Sequence, residues 1–218
     1  MSGYMVVNLL GCVLVITSTL VVLAPKLKTG AYMYALQSLV LVSMLLTLGI
    51  TTGSSELYQW SVTAFITKVL LVPGLMLYAI KKLGDQADVN MPIKLTPVKC
   101  VILVIVELAV CYFAVMGIKL PAAAEVHPAL AISLAHFFIG LTCIVSQRNI
   151  FKQIFGYCLM ENGSHVTLAL LAPTAPGLVE TGVATDAVFA VVIMVIIALK
   201  ISRVNKTIDA RDLMNLKG

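Results

Sequence analysis

The chain has 218 residues, 60% of them hydrophobic and 11% charged, with a net charge of +5 and a mean hydropathy of +1.03. An ordinary soluble domain carries about 25% charged residues, so a protein folded around a water-soluble core is excluded. The basic residues are scattered over short polar stretches without aromatic interleaving or a basic stripe, which also excludes a nucleic-acid footprint.

Crossing a hydrocarbon slab of about 30 Å takes roughly 20 apolar residues, and seven stretches qualify. Backbone polar groups find no water in lipid, so these stretches are expected as helices. The fold class is thus an all-α polytopic membrane protein with four spans followed by three. Met5 to Ala24 comes first. It lacks a basic leading segment and an Ala-x-Ala type site, so it reads as a retained span rather than a cleaved signal. Ala31 to Thr51 follows and contains Gln37, read as an interhelical hydrogen-bonder. Tyr58 to Ile80 carries Lys68 five residues before Pro73. The proline deprives the Val69 carbonyl of its helical donor, predicting a kink beside the amine.

Lys99 to Lys119 carries Glu107, at a similar depth on the next antiparallel span, and Glu107 is the expected partner of Lys68. The Pro- and Ala-bearing stretch Leu120 to Val126 divides a region 1–126 from a region 127–218. The longest polar connection, Lys81 to Lys94, is too short to fold alone. After the divide, Pro128 to Gln147 carries His136, a relay group or a satisfied structural imidazole. Lys152 to Ala172 contains Glu161, with Cys158 and His165 at helical spacing on the same face, and with Gly156 and Gly163 permitting close packing. Leu178 to Leu199 carries Asp186, and Glu180 stands near its outer end.

Charges at this depth cost several kcal/mol and are kept where they face a bundle interior, pair with each other or carry ions. Counted from the outer end of each span, Lys68, Glu107, His136, Glu161 and Asp186 lie eight to twelve residues in. That spread is about 6 Å, so the five form a layer near the bilayer centre. A layer suits a lateral path in the membrane plane, whereas a transverse channel would string its polar groups out in depth. Glu161 next to an imidazole is the strongest relay candidate. A static Lys-Glu pair that merely joins two helices is the plain alternative.

With the N-terminus outside, 13 of the 15 Lys and Arg residues fall in inner loops, and only Lys119 faces out. The positive-inside rule then sets the N-terminus outside and the C-terminus inside a bacterial inner membrane, with anionic lipid heads as the contacts of the basic loops. Cys12, Cys100, Cys111, Cys143 and Cys158 show no ligand-type clustering, so neither an iron–sulfur nor a zinc site is expected. Phosphate-loop, dinucleotide and nucleophile-elbow motifs are missing as well. No catalytic centre, metal or cofactor is expected in the chain itself.

The stretch HFFIGLTCIVSQRNIFKQIFGYCLMENGSHVTLALL, with ATDAVFAVVIMVIIALKISR after it, resembles the three-helix K subunit of respiratory complex I and the related C subunit of multisubunit cation/proton antiporters. The resemblance is carried by F-x-x-G-L in the first helix, by Arg148 and Asn149 at the inner turn, by Met160, Asn162 and Ser164 in the second helix, and by an acid in the third. It implies that acids of the second and third helices belong to a charged chain conducting protons along a membrane arm, a role carried to Asp186 by helix and depth. Where the family has its second-helix glutamate this chain has Cys158, and its acid, Glu161, is moved by about one turn.

Over nearly its whole length, including QSLVLVS, AFITKVLLVP, QIFGYCLMENGSH and the terminal LKG, the chain resembles the membrane subunits of formate hydrogenlyase-type complexes with group 4 nickel-iron hydrogenases. That resemblance implies a non-catalytic subunit of an oxidoreductase complex. Its partners would be antiporter-like membrane subunits and a hydrogenase and formate dehydrogenase arm holding the nickel-iron centre and iron–sulfur clusters. Proton, or sodium-ion, movement would be coupled to formate oxidation and hydrogen evolution. A complex I-type or antiporter subunit and a purely structural scaffold are the other readings.

Overall fold

The computed structural model describes residues 2–88, 96–117 and 126–214. The distal part of the 81–94 connection, Lys119, the divide up to residue 125 and the terminal Leu-Lys-Gly lie outside the described residues.

α1 (Gly3–Leu23) starts at Ser2, whose hydroxyl accepts the Met5 N–H. α2 (Leu27–Thr52) ends at Gly53 in the left-handed conformation, φ 69°, the usual way for a residue without Cβ to stop a helix. α3 (Ser55–Ala64), a π-helical segment (Phe65–Leu71) and α4 (Val72–Leu83) follow without a break. They form one rod, Ser55–Ala87, 33 residues long. The kink expected at Pro73 thus takes the form of a widened register, in which the Val72 N–H donates to the Thr67 carbonyl. A π turn loosens the ladder where proline removes a donor, and such turns concentrate at functional sites. Lys68 is in it.

α5 (Pro97–Met116) is capped by Thr96 with proline at its first position, where the missing N–H costs nothing. α6 (His127–Ser146), α7 (Ile150–Leu171) and α8 (Gly177–Asn205) complete the chain. The described residues contain no strand, only an isolated bridge between Asn149 and Asp209. Among the described residues, six helical rods are long and apolar enough to cross a membrane: α1, α2, Ser55–Ala87, α5, α6 and α8. α7, at 22 residues, has the length. It falls short on apolarity because Lys152, Gln153, Glu161, Asn162, Ser164 and His165 interrupt it.

α6 and α7 form the most intimate pair. A Cβ on Gly140 would overlap the Met160 backbone, one on Gly156 would stand 2.9 Å from the Gly140 carbonyl oxygen, and one on Gly163 would stand 2.8 Å from Phe137 Cα. Three glycines therefore allow backbone-to-backbone approach, as small residues do in membrane interfaces. α1 packs on α2 and α6, and α2 packs on α7, whereas α5 rests chiefly on α6.

The buried apolar residues fall into two clusters, one toward each end of the bundle. One holds Val21, Tyr34, Met76, Ile80, Val104, Cys143, Phe151, Phe155 and Val195. The other holds Val7, Leu41, Leu45, Leu57, Trp60, Val115, Ala129 and Val166. The bundle helices leave one cluster for the other at their polar positions: near Ser18 in α1, Gln37 in α2, Lys68, Glu107 in α5, His136 in α6 and Glu161 in α7. Of the layer expected from counting residues, Lys68, Glu107, His136 and Glu161 lie at the seam between the two cores.

Candidate functional site

Lys68, only 2% exposed, points from the π segment into the seam. Its Nζ lies 2.6 Å from Glu161 Oε2 and donates at 2.9 Å to Asn162 Oδ1. The expected Lys68–Glu107 pair does not form. Chain order suggested it, but α5 packs against α6 and α1 rather than against the Lys68 rod. Glu107 instead accepts from the Thr142 hydroxyl on α6.

From Asn162 a single file of hydrogen bonds continues across the bundle. Asn162 Nδ2 donates to Gln37 Oε1 at 2.9 Å, with Tyr34 OH at 3.5 Å as a second partner. Gln37 Nε2 stands 3.3 Å from His136 Nε2, and His136 Nδ1 stands 2.7 Å from Ser18 Oγ. Ser18 Oγ in turn donates to the Leu14 carbonyl. An amide nitrogen only donates and a hydroxyl has one proton. These partners therefore assign His136 as the Nδ1–H tautomer, accepting from Gln37 and donating to Ser18. Every bond in the file then runs the same way, donors pointing away from the Lys68 ammonium. The negative ends of the dipoles face Lys68 and favour its charge.

This polarity limits what the file can do. Primary amides pass a proton only through a high-energy imidic tautomer, and both His136 nitrogens are committed. His136 thus has both ring nitrogens satisfied by Gln37 and Ser18. The file anchors Lys68 from α7, α2, α6 and α1. Glu161 is the one member with access to the surface, at 14% exposure of its side chain.

Asp186, expected in the same layer, is exposed on α8, because the inward stripe of that helix is Ala184, Ala187, Val191 and Val195. The charges of both Glu161 and Asp186 act on the Tyr157 phenol. His165 does not meet Glu161. Its Nε2 lies 2.6 Å from Glu180 Oε2, both side chains being buried, with the Trp60 ring centroid 5.5 Å from the imidazole.

Asn162, Gln37, Tyr34, Ser18 and Glu180 complete what sequence reasoning left out or ranked low. Asn162 was visible as part of Met-x-Asn-x-Ser, but adjacent helical residues point about 100° apart, and only a long lysine from another helix reaches both it and Glu161. Glu180 read as interfacial because it opens α8; its burial against His165 is tertiary.

At the opposite end Asn149 caps α7 by accepting the Phe151 N–H at 2.9 Å. Arg148 grips Asp209 through both Nε, at 3.2 Å, and Nη2. The Ile150 N–H donates to the Ile208 carbonyl and the Ala210 N–H to the Arg148 carbonyl, so the tail after α8 is strapped to the α6–α7 turn. Burial alone would raise the Asp209 carboxyl. The Arg211 N–H and the Arg148 guanidinium outweigh it and hold the carboxyl below its ordinary value.

The model of the family described as NADH-ubiquinone/plastoquinone oxidoreductase chain 4L matches residues 128–218. Hydrogenase-4 component E of Escherichia coli K12 and its counterpart in Shigella flexneri are each 49% identical over 220 residues, covering 100% of this chain and 100% of the relative. An uncharacterised protein of Mycobacterium tuberculosis is 24% identical over 215 residues, covering 94% of this chain and 92% of that one. No solved structure matches. With α6 to α8 matched by the chain 4L model and the full length shared with these relatives, the chain belongs to the hydrogenase-4 component E family.

Proposed function

We propose that the chain is a membrane-arm subunit of a group 4 nickel-iron hydrogenase complex of the formate hydrogenlyase type, and that it holds and hands on protons within the bilayer at Lys68 and Glu161. α7 is the seventh span in this reading, shielded from lipid by its neighbours, with the N-terminus outside and the C-terminus inside the bacterial inner membrane. The basic residues Arg148, Lys200 and Arg203 at one end of the bundle favour that orientation.

The observation that carries the proposal is the buried Lys68–Glu161 pair, 2.6 Å apart. Moving the proton between the two converts an ammonium carboxylate into an amine and a carboxylic acid. Both forms are internally neutral, so neither leaves an uncompensated charge in the hydrocarbon. A pair already filled by an ammonium leaves no seat for sodium, so the ion is the proton. Tyr157 and Asp186 extend the route to the exposed face of α8, where an antiporter-like subunit would dock. Glu107 with Thr142 forms a separate polar point on the α5 side. The chain supplies no catalytic centre and no cofactor of its own, and the hydrogenase and formate dehydrogenase chemistry belongs to partner subunits.

The test is proton uptake per hydrogen evolved in inverted membrane vesicles holding the whole complex. Glu161→Gln is expected to lower the ratio while assembly persists, and Asp186→Asn to lower it if the α8 face is the outlet. An unchanged ratio in both variants would leave a structural scaffold as the function.

A further inference from the structure

The central file ends in amides and a locked imidazole, yet a second set of buried polar atoms runs from Glu161 in another direction. Glu161 Oε1, His165 Nδ1, Trp60 Nε1 and Glu180 Oε1 are all buried, and none has a hydrogen-bond partner among the described residues. His165 and Glu180 are 1% exposed and Trp60 is fully buried. Glu161 and His165 share a face of α7, one turn or about 6 Å apart. Glu180 sits in the first turn of α8. The atoms therefore lead from the seam toward the end where α8 begins.

Buried polar atoms are nearly always paired, with protein or with ordered water, and a cluster of such atoms on neighbouring residues is the setting in which bridging waters are held. The two histidines differ in the way that matters for relay. His136 has both ring nitrogens spent on an amide and a hydroxyl. His165 has Nε2 2.6 Å from Glu180 Oε2, a close contact not aligned as a hydrogen bond, and Nδ1 without a partner among the described residues. The ring thus stands between an open side and a carboxylate, the placement an imidazole needs to take a proton on one side and release one on the other.

We propose that His165 and Glu180, beside Trp60, form a hydrated outward branch that connects the Lys68–Glu161 pair to the outer end of the bundle. This rests on the reading of Lys68 and Glu161 as a proton-exchanging pair. The carboxylic proton of Glu161 passes through a bridging water to His165 Nδ1, and the Nε2 proton of the same ring passes to the Glu180 carboxylate. The imidazole changes tautomer, and no charge is created or lost across the two transfers. The charged groups facing the branch are Lys68 and Glu161. The Trp60 N–H serves as a donor to the water rather than as a carrier. Loss of the proton from Glu180 to the outer side, together with return of the His165 ring to its Nε2–H tautomer, resets the branch.

The test again uses the intact complex in inverted vesicles, with His165→Gln, Glu180→Gln and Glu161→Gln compared for protons moved per hydrogen evolved. The branch predicts that all three lower the ratio. A fall in Glu161→Gln alone overturns the branch and leaves the central pair standing, and no fall in any variant overturns both. Should the outer variants fail to assemble, high-resolution imaging of the unaltered complex decides. Ordered waters joining Glu161 Oε1, His165 Nδ1 and Glu180 are expected, and a dry gap between Glu161 and His165 would overturn the proposal.

Discussion

Lys68 is the residue on which most of the buried polar chemistry converges, and its partners set what its removal should do. Taking away one member of a buried pair leaves an uncompensated charge, at a cost of about 3–5 kcal/mol, whereas replacing both by apolar groups is often neutral. Lys68→Met should therefore lower the unfolding temperature in detergent sharply, and Lys68→Met combined with Glu161→Leu should recover much of the loss. Equal losses in the single and double variants would mean that the pair is not the dominant contact of Lys68. His136→Ala should cost about 1–3 kcal/mol, from the unpaired Gln37 and Ser18 groups, while protons moved per hydrogen evolved stay unchanged. A drop in that ratio in an otherwise stable variant would return His136 to the relay.

Among the elements, the α6–α7 pair and the rod Ser55–Ala87 carry the site. Gly140 and Gly156 hold α6 against α7 at backbone contact, and overpacking such a seam typically costs about 1–3 kcal/mol, occasionally more. Gly140→Ala and Gly156→Ala should fall at or above the top of that range. Gly74→Ala and Gly182→Ala meet open space and should be neutral or slightly stabilising, since alanine favours the helix by up to about 1 kcal/mol. Thermal unfolding of the four variants side by side checks the contrast. The rod was legible in part: Pro73 announced a disturbance next to Lys68, but not that it takes the form of a π-helical segment over Phe65–Leu71. Lys68 could be assigned its depth from sequence and not its partner. Chain order makes α5 the natural neighbour of α4, yet helices in a bilayer are free to pack in any lateral order.

For the whole molecule, the strap between the α6–α7 turn and the tail closes one end of the bundle. The Asp209 carboxyl is depressed in the folded state. Its contribution is therefore fully present above the ordinary aspartate value of about 3.9 and is lost as the pH falls through the lower folded value. The tail should stay docked through the neutral range and be released only in strong acid, as read by protease access at residues 206–212. Asp209→Asn should give the same access at neutral pH. Protection in that variant equal to wild type would show that the backbone bonds at Ile150 and Ala210 hold the tail without the ion pair.

Composition and hydropathy by themselves determined a membrane class, the helical stretches and the common depth of the ionisable residues, because each follows from free energies of transfer summed along one helix. The motif in α6 to α8 likewise marked the chain 4L-like part of the chain. Which charges meet was decided by tertiary structure alone. Lys68 finding Glu161, His165 finding Glu180 and Asp186 facing outward all depend on the rotation of each helix about its axis and on its lateral neighbours. Those are set by packing between helices, where glycines and small side chains weigh as much as the charges they bring together.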